Sequence, residues 1–349
     1  MRVFPNAASA APVTIIVPAF NEEACLADTL ASLLRQTSPA AEVIVVDDCS
    51  TDGTGDLARS FGVTVVRPPV NMGSKAGAQS YALQFVRTEF VAAVDADTTL
   101  APDAVERLLD ASREPGVAAA CGTVLPRIIE TVWERGRYVE YLFAFTFYKR
   151  VQDGYGAPLI SSGCFSMYRT SILREAGGWS TRTLAEDMDL TWTLFQRGHA
   201  VRFIPEALCF PLEPHDFVFM RRQLKRWSHG FIQNVRLHWR GLLEVPFLRS
   251  MVAVACWDAV IASIVYLMLL PFAAIWFRNP YLLLGYVIDV PAILIPVVAG
   301  ALPRRECARA LASLPSFFVL RTVNAIFFLT ALWAELVCGR TFQAYEKGH

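Results

Sequence analysis

The sequence predicts an α/β domain with a mostly parallel β-sheet covered by helices on both faces, followed by an α-helical membrane region. Between residues 13 and 98, apolar runs with the length of strands alternate with runs of helical periodicity. Long apolar runs dominate residues 251–338, whereas residues 1–240 have the mixed composition of a soluble domain. The chain carries 32 basic and 32 acidic side chains, and this balance argues against a nucleic-acid-binding protein.

The elements of the α/β domain are predicted from periodicity and from the turn residues between them. Strands alternate with helices, and such alternation is typical of a parallel sheet because parallel strands need a crossover connection. The stretch at 22–36, for example, places Leu26, Leu30 and Leu33 at helical spacing. In order, we predict strands at 13–20, 41–50, 63–68 and 89–98, and helices at 22–36, near 52–61 and at 74–86.

Polar side chains follow several of these strands, at the edge of the sheet where ligands bind in such folds. One interpretation is structural, since Asp and Asn are common in turns and at helix N-caps, and short acidic patterns occur by chance. Taken together, however, carboxylates at two strand ends could hold a divalent cation that bridges a diphosphate, and Lys75 could add a positive charge. The residues concerned are Asn21, Asp47, Asp48, Asp95 and Asp97.

The cysteines and the amino-terminal residues carry weaker signals. Eight cysteines lie far apart without a CxxC pair, which argues against a zinc site or a disulfide scaffold and fits a reducing compartment. The apolar stretch near the amino terminus contains Pro12 and Pro18, so we interpret it as the first strand, with a signal peptide as the alternative.

Three apolar stretches near the carboxyl end are each long enough to cross a bilayer, which takes about 20 helical residues. The basic loop at 303–309 is expected to face the cytoplasm. Arg321 and Asn324 interrupt the last stretch and are expected to mark an interfacial helix or an acceptor groove, whereas Asp258 and Asp289 are expected to bond to neighbouring helices. The stretches are 251–277, 281–302 and 314–337.

Seven stretches of the sequence, collinear between residues 15 and 227, resemble the inverting glycosyltransferases of family 2. That family has the GT-A fold, a Rossmann-like α/β arrangement. Collinear matches of this kind are more specific than any single motif. The stretches are IIVPAFNEE (15–23), VIVVDDCSTDGT (43–54), NMGSKAGA (71–78), VAAVDADT (91–98), ISSGCFSMYR (160–169), AGGWSTRTLAEDMDLTWTLFQRGH (176–199) and QLKRW (223–227).

The resemblance implies a nucleotide-diphosphate sugar as donor. Asp48, with Asp47, would hold the uracil or ribose, the backbone from Pro18 to Phe20 would line the base, and Glu22 would support the loop. Asp95 would face the ribose and sugar, and Asp97 would bind Mg²⁺ or Mn²⁺ on the diphosphate. The cation and Lys75 would neutralise the charge that develops on the leaving diphosphate.

The resemblance also implies a catalytic base in the stretch LAEDMDL. Asp187 would take the proton from the acceptor hydroxyl, and Glu186 would orient Asp187 or the acceptor. The alternative is an acidic helix N-terminus favoured by the helix dipole. Ala185 stands where the family usually has Thr, which weakens one contact on the acceptor side.

The stretch FMRRQLKRWSHGF contains the family's QxxRW signature. Gln223, Arg226 and Trp227 are spaced to share one helical face, with the indole available to a sugar ring and the guanidinium to diphosphate oxygens. A plain amphipathic anchor at the membrane surface is the alternative, and we expect the segment to do both. The expected lipid-facing residues are Arg221, Arg222, Lys225, Phe217, Phe219 and Phe231.

The expected function is that of a multi-pass inner- or plasma-membrane glycosyltransferase with a cytoplasmic catalytic domain. It would transfer glucose or N-acetylglucosamine from a UDP-sugar to a growing β-glycan, with a second copy or an export partner. One alternative is transfer of one or a few sugars to a lipid acceptor, which the small number of membrane spans favours. A second alternative is an inactive membrane scaffold. A nucleotidyltransferase is a further option.

The expected domain bounds are 1–215 for the GT-A domain, 216–249 for interface helices, 250–338 for about three membrane helices and 339–349 for a tail. In that tail, Tyr345 replaces the Trp of a similar ending in some relatives.

Overall fold

The computed structural model describes residues 11–156 and 158–342, which form two compact units. The sheet unit contains the described residues up to Arg127, together with Gln152–Arg182 and Glu186–Leu212. The helical unit contains Ile128–Val151, Thr183–Ala185 and the described residues from Glu213 onward. The chain therefore leaves the sheet unit and returns to it twice before it enters the helical unit for the last time.

The sheet unit is built on eight described strands in the order β3-β2-β1-β4-β7-β6-β8-β5. β1, β2, β3, β4, β6 and β8 run in one direction, whereas β5 and β7 run antiparallel to their neighbours. This mixed, mostly parallel sheet confirms the predicted fold class. The strands are β1 (Ala11–Ala19), β2 (Ala40–Asp47), β3 (Thr64–Val66), β4 (Phe90–Val94), β5 (Thr99–Leu100), β6 (Val117–Val124), β7 (Phe165–Arg169) and β8 (Ala200–Phe210).

The central strands are buried along most of their length, as expected for a sheet covered on both faces. All five residues of β4 are buried, and so are the last five of β2. Because β2, β1 and β4 are parallel neighbours, their carboxyl ends meet at one edge of the sheet. The polar residues that follow these strands are thereby brought to that edge.

The helices pack on the sheet or build the helical unit. Those of the first 100 residues lie within the predicted stretches but are shorter at their ends. The α-helices are α1 (Leu26–Leu33), α2 (Thr54–Ser60), α3 (Lys75–Leu83), α4 (Ala104–Ser112), α5 (Val132–Phe143), α6 (Lys149–Gly154), α7 (Thr170–Ala176), α8 (Glu186–Gln196), α9 (Phe217–Glu244), α10 (Pro246–Cys256), α11 (Leu270–Trp276), α12 (Val290–Ala301) and α13 (Cys307–Leu332).

Three helical stretches of the helical unit are long and apolar enough to cross a membrane. They contain the second and third predicted apolar stretches and all but the last residue of the first. Asp289 accepts a hydrogen bond from Tyr266 and pairs with Arg321, so the expected bond to a neighbouring helix is confirmed for this residue. The side chain of Asp258 and the tail residues 343–349 lie outside the described residues. The stretches are Pro246–Trp276, Pro280–Arg304 and Cys307–Val337.

Candidate active site

The first part of the candidate site is the loop between β2 and α2, which begins with two acidic residues. Asp47 is fully buried: its Oδ1 accepts from the backbone N–H of Ser50 at 3.0 Å, and its Oδ2 lies 2.5 Å from Arg67 Nη1. A Cβ on Gly55 would lie 2.5 Å from Oδ2, so only glycine leaves room for this carboxylate. The contacts of Asp47 therefore shape the loop itself.

Asp48 joins this loop to the one that precedes α3. Its Oδ1 accepts from the Met72 N–H at 2.8 Å, and its carbonyl oxygen accepts from Asn71 Nδ2 at 2.7 Å. Burial raises the pKa of Asp48; the Met72 N–H opposes this shift, and the charge of Asp47 adds to it. The Met72 N–H therefore fixes the direction of one of the two Asp48 carboxylate oxygens.

The end of β1 bonds to the same loop. Asn21, in the left-handed region with φ 55°, accepts the Thr51 N–H at 2.8 Å. The backbone N–H of buried Glu22 donates to Thr54 Oγ1 at 2.8 Å. Pro18 lies on β1 and is partly buried, and Phe20 is exposed at its end.

Lys75 connects two of the predicted site residues, Asp95 and Glu186. Its Nζ lies 2.5 Å from Asp95 Oδ1 and 3.7 Å from Glu186 Oε1, although these residues are far apart in the chain. Lys75 is the first residue of α3, and the side chain of Ser74 caps that helix by accepting the Gly77 N–H at 3.1 Å. Lys75 therefore holds two carboxylates at the edge of the sheet.

Gly163 is a site residue that the sequence analysis did not identify, although it lies in a quoted family stretch. Its carbonyl oxygen accepts from Lys75 Nζ at 2.9 Å, and its N–H donates to Asp187 Oδ2 at 2.9 Å. A Cβ at this position would lie 3.0 Å from Asp187 Oδ2 and 3.1 Å from Lys75 Nζ. Glycine therefore lets one backbone residue contact both charged groups.

Asp187 and Glu186 begin α8, as the acidic helix start in the sequence suggests. Asp187 Oδ1 accepts from the Met188 N–H at 2.8 Å, so backbone donors hold both carboxylate oxygens. Burial and the charge of Glu186 raise the pKa of Asp187 to about 6, against the opposing effects of Lys75 and the two N–H groups. A fixed carboxylate with a pKa near 6 is suited to act as a general base near neutral pH.

Asp95 and Asp97 follow β4 and offer hard oxygen ligands. Asp97 is partly exposed, and its Oδ1 accepts from Thr98 Oγ1 at 3.0 Å. Among the described residues, no group of three or more His, Cys, Asp or Glu side chains is placed to hold a metal ion. This donor set fits Mg²⁺ or Mn²⁺ only if a bound diphosphate and water complete the coordination, which is usual for Mg²⁺.

The signature residues Gln223, Arg226 and Trp227 lie in the helical unit, on α9, where a buried arginine supports two of them. Arg137, from α5, donates from Nη2 to Gln223 Oε1 at 2.5 Å. Its Cζ lies 4.4 Å from the centroid of the Trp227 ring. No local sequence pattern indicates Arg137, because its partners lie 86 positions or more further along the chain.

Acidic residues surround Arg137 and compensate its charge. Glu140 Oε2 lies 2.5 Å from Arg137 Nη1, and Glu213 Oε2 lies 3.6 Å from its Nε. Gln223 Nε2 donates to Glu213 at 3.4 Å, so both ends of the Gln223 amide are bonded within this cluster. Trp227 is 37% exposed with the guanidinium on its ring, which leaves an aromatic surface available.

The helix α9 also holds the residues that directly precede Glu186 in the chain. Asn234 Nδ2 donates to Thr183 Oγ1 at 3.2 Å and to the Ala185 carbonyl at 3.1 Å, and Gln233 Oε1 accepts the Leu184 N–H at 3.0 Å. A Cβ on Gly230 would lie 2.8 Å from the Ala185 Cβ. α9 therefore holds the segment Thr183–Ala185, which precedes Glu186 in the chain.

Comparison with known proteins supports an enzymatic interpretation of this geometry. Residues 14–177 match the family model described as glycosyl transferase family 2. The chain is 29% identical over 223 residues to the poly-beta-1,6-N-acetyl-D-glucosamine synthase of Staphylococcus epidermidis, covering 62% of this chain and 54% of that protein. It is 34% identical over 247 residues to the uncharacterized glycosyltransferase YaiP of Escherichia coli K12, covering 66% and 60%. The chain thus spans less than two thirds of the length of these relatives.

A solved structure extends the likeness in fold. The mannosyltransferase PcManGT from Pyrobaculum calidifontis, in complex with GDP-Man and Mn²⁺, aligns with a TM-score of 0.62 at 21% identity. The alignment covers 96% of this chain and 90% of that one. At 21% identity, this similarity shows a shared fold and no more.

Proposed function

Because residues 14–177 form a glycosyl transferase family 2 domain, we propose that the protein is a membrane-bound inverting glycosyltransferase. The donor is a nucleotide-diphosphate sugar, UDP-glucose or UDP-N-acetylglucosamine, and the acceptor is a growing β-glycan. The observation that carries the proposal is the set of contacts through which Gly163 and Lys75 connect Asp187 with Asp95 at the strand edge.

Asp187 is the proposed general base. Inversion requires that the acceptor hydroxyl loses its proton as it attacks the anomeric carbon from the face opposite the diphosphate. Two backbone N–H groups fix the carboxylate, and its raised pKa keeps it basic enough to take that proton. Glu186 is proposed to orient Asp187 or the acceptor. It pairs with Lys75, and its charge raises the pKa of Asp187.

Asp95, Asp97 and Lys75 are proposed to serve the diphosphate side of the donor. Asp97, with Asp95 nearby, would hold Mg²⁺ or Mn²⁺, and when bound this ion neutralises charge on the leaving diphosphate. Lys75 remains 12% exposed while it holds Asp95 and Gly163 in place.

The nucleoside is proposed to bind beside the loops that follow β1 and β2. Asp48 accepts from the base or ribose, Phe20 offers an exposed ring, and Pro18, Glu22 and Asp47 shape the backbone around them. The fixed orientation of Asp48 by the Met72 N–H supports this assignment.

The signature on α9 is proposed to act as a preformed platform. Trp227 stacks on a sugar ring and Arg226 binds diphosphate oxygens, whereas Gln223 holds the platform together through Arg137 and Glu213. Arg221, Arg222, Lys225, Phe217 and Phe219 are proposed to rest on the lipid surface. Phe231, which the sequence predicts to face lipid as well, packs instead on Phe328 within the helical unit.

The helical unit is proposed to span the inner or plasma membrane several times, with the catalytic domain in the cytoplasm. Three apolar helices and the basic loop at 303–309 support this arrangement. A β-glycan acceptor is supported by the name of the Staphylococcus epidermidis relative, a synthase of poly-beta-1,6-N-acetyl-D-glucosamine. A second copy or an export partner would complete the export of a polymer.

The test is a donor screen with the full chain in lipid nanodiscs. UDP-glucose, UDP-N-acetylglucosamine and UDP-galactose are offered with Mn²⁺, and release of nucleoside diphosphate is measured. We expect Asp187→Asn to lower turnover by at least about a hundredfold, with Asp97→Ala also inactive and the exposed Asp110→Asn as matched control.

The products separate the alternatives. A ladder of long products on a denaturing gel supports glycan synthesis, a single small product supports transfer to a lipid acceptor, and a β-linked product by NMR supports inversion. Pyrophosphate release would indicate a nucleotidyltransferase. Absence of turnover with every donor and acceptor would instead support the scaffold hypothesis.

A further inference from the structure

A cavity of about 400 Å³ lies among the apolar helices of the helical unit. This volume is within the range of small-molecule binding sites in proteins. Its lining combines the rings of Tyr266, Tyr286 and Phe318 with polar side chains of α13, among them Arg321 and Asn324. Polar side chains within apolar membrane helices are unfavourable unless they meet a polar partner, and they commonly mark functional sites.

The charge of Arg321 is neutralised inside this helical region. Asp289 pairs with Arg321 and also accepts a hydrogen bond from Tyr266 Oη at 3.2 Å. The Arg321 guanidinium carbon lies 4.3 Å from the centroid of the Tyr266 ring, and Tyr286 stacks on Tyr266 at 5.6 Å between centroids. The pair of Arg321 and Asp289 therefore carries no net charge.

Hydrogen-bonding capacity remains unused beside the cavity. Within the described part of the chain, the guanidinium of Arg321 bonds through Nη1 alone, which leaves Nε and Nη2 as donors. The amide of Asn324 makes no hydrogen bond to the described residues, and Asp289 Oδ1 is a buried oxygen without a hydrogen-bond donor among them. Arg321 and Asn324 lie three positions apart on one helical face.

We propose that this cavity binds the uncharged, hydroxyl-bearing headgroup of an amphiphile, such as the sugar of a glycolipid. A hydroxyl group both donates and accepts, so it can satisfy the Arg321 donors and the Asn324 amide together. An anionic headgroup is disfavoured because Asp289 already neutralises Arg321, and a further negative charge in an apolar region would have no counter-ion. This inference rests on the proposed membrane location but not on the proposed transfer reaction.

The remaining walls suit the apolar part of such a ligand. Phe318, Val319 and Phe328 line the cavity along α13, and Ala259 and Ala262 line it from the first long helical stretch. Apolar side chains around a few polar groups are the usual composition of a small-molecule site. A headgroup bonded to Arg321 and Asn324 would therefore place its alkyl chain against apolar surface.

The test uses an octyl β-glucoside that carries a diazirine in its chain, added to the full protein in phosphatidylcholine nanodiscs. Photolabelled peptides are quantified by mass spectrometry, with octyl β-glucoside or octyl phosphate as competitor. We expect saturable labelling of α13 that octyl β-glucoside displaces and octyl phosphate does not. Asn324→Leu, and the double variant Arg321→Met with Asp289→Asn, should each lower labelling by about fivefold, because each variant removes at least one hydrogen bond to the ligand.

Thr330→Val is the matched control, because Thr330 is an exposed residue of the same helix that does not line the cavity. Labelling that is unchanged in both cavity variants, or displaced equally well by octyl phosphate, would overturn the proposal. Labelled protein that transfers no sugar would refute the proposed reaction alone. Protein that does not remain in nanodiscs would refute the membrane location and this inference with it.

Discussion

At the scale of single residues, the candidate site depends on a lysine and a glycine as much as on its carboxylates. Lys75 and Gly163 connect Asp95 with Asp187, and two backbone N–H groups hold the Asp187 carboxylate. Because burial raises the pKa of this carboxyl to about 6, its protonation falls within an accessible pH range. The acidic pattern in the sequence indicated Asp187, but not the backbone donors that orient it.

The pKa of Asp187 predicts the acid limb of the pH profile. The carboxylate acts as a base only when ionised, so kcat/KM should be constant above pH 7 and fall by about tenfold per pH unit below pH 6. The measurement is the initial rate of nucleoside diphosphate release between pH 5 and 8 at low donor concentration. A profile that stays flat down to pH 5 would contradict the assignment of Asp187 as the base.

Arg137 gives a second prediction, at the signature on α9. Arg137→Lys keeps the positive charge between Glu140 and Glu213 but loses the planar group that bonds Gln223 and stacks on Trp227. We expect the variant to stay folded, with a change in tryptophan fluorescence and a loss of about tenfold in kcat/KM.

The matched control for this variant is Arg135→Lys, at an exposed position of the same helix. Wild-type kinetics in the Arg137→Lys protein would show that Arg137 does not position the signature. Loss of folded protein in Arg137→Lys, measured by thermal unfolding in nanodiscs, would indicate a structural role instead.

At the scale of elements, α9 combines two tasks over its 28 residues. Its first half carries Gln223, Arg226 and Trp227, and its second half holds the segment Thr183–Ala185 through Asn234 and Gln233. That segment is directly followed by the acidic residues at the start of α8. The local sequence predicted the amphipathic helix but not this connection.

The contacts of Asn234 predict an effect on turnover. Asn234→Leu has a similar size but cannot bond to Thr183 or Ala185, so the segment before Glu186 loses two of its anchors. We expect kcat to fall by about tenfold while the KM for the donor changes little. Steady-state kinetics test this, with Arg240→Gln, exposed on the same helix, as control. An unchanged kcat would show that the bonds of Asn234 to Thr183 and Ala185 do not affect turnover.

At the scale of the whole molecule, the sheet unit and the helical unit carry different candidate functional groups. The sheet unit carries the carboxylates and Lys75, and the helical unit carries the signature and three apolar helical stretches. The structural likeness to the Pyrobaculum calidifontis mannosyltransferase covers 96% of the chain, so it includes the helical unit as well as the family 2 domain.

The apolar helices predict firm membrane attachment of the whole chain. We expect the protein to remain in the membrane pellet after a wash with alkaline sodium carbonate and to be released by detergent, because each stretch is long enough to cross the hydrocarbon core. Fractionation followed by immunoblotting measures the share of the protein that stays in the membrane pellet. Release by carbonate alone would show that the helices lie on the surface of the bilayer.

The sequence by itself determined the features that depend on local pattern. Alternating apolar runs predicted the order of strands and helices up to residue 98, the acids after β2 and β4 marked the sheet edge at which these strands end, and composition marked the three apolar helices. The collinear family stretches also indicated Asp187 and the signature on α9 as site candidates. These signals lie within short windows, where periodicity and residue type are sufficient.

Only the tertiary structure decided which distant residues meet. Lys75 bonds to Gly163 over 88 positions, Arg137 reaches Gln223 over 86, and Asp289 pairs with Arg321 over 32. β5 and β7 are antiparallel strands of the same sheet, which the alternating pattern did not indicate. Such contacts depend on how packed elements cross, and the packing energy is shared among many side chains, so a single stretch of sequence carries no local record of it.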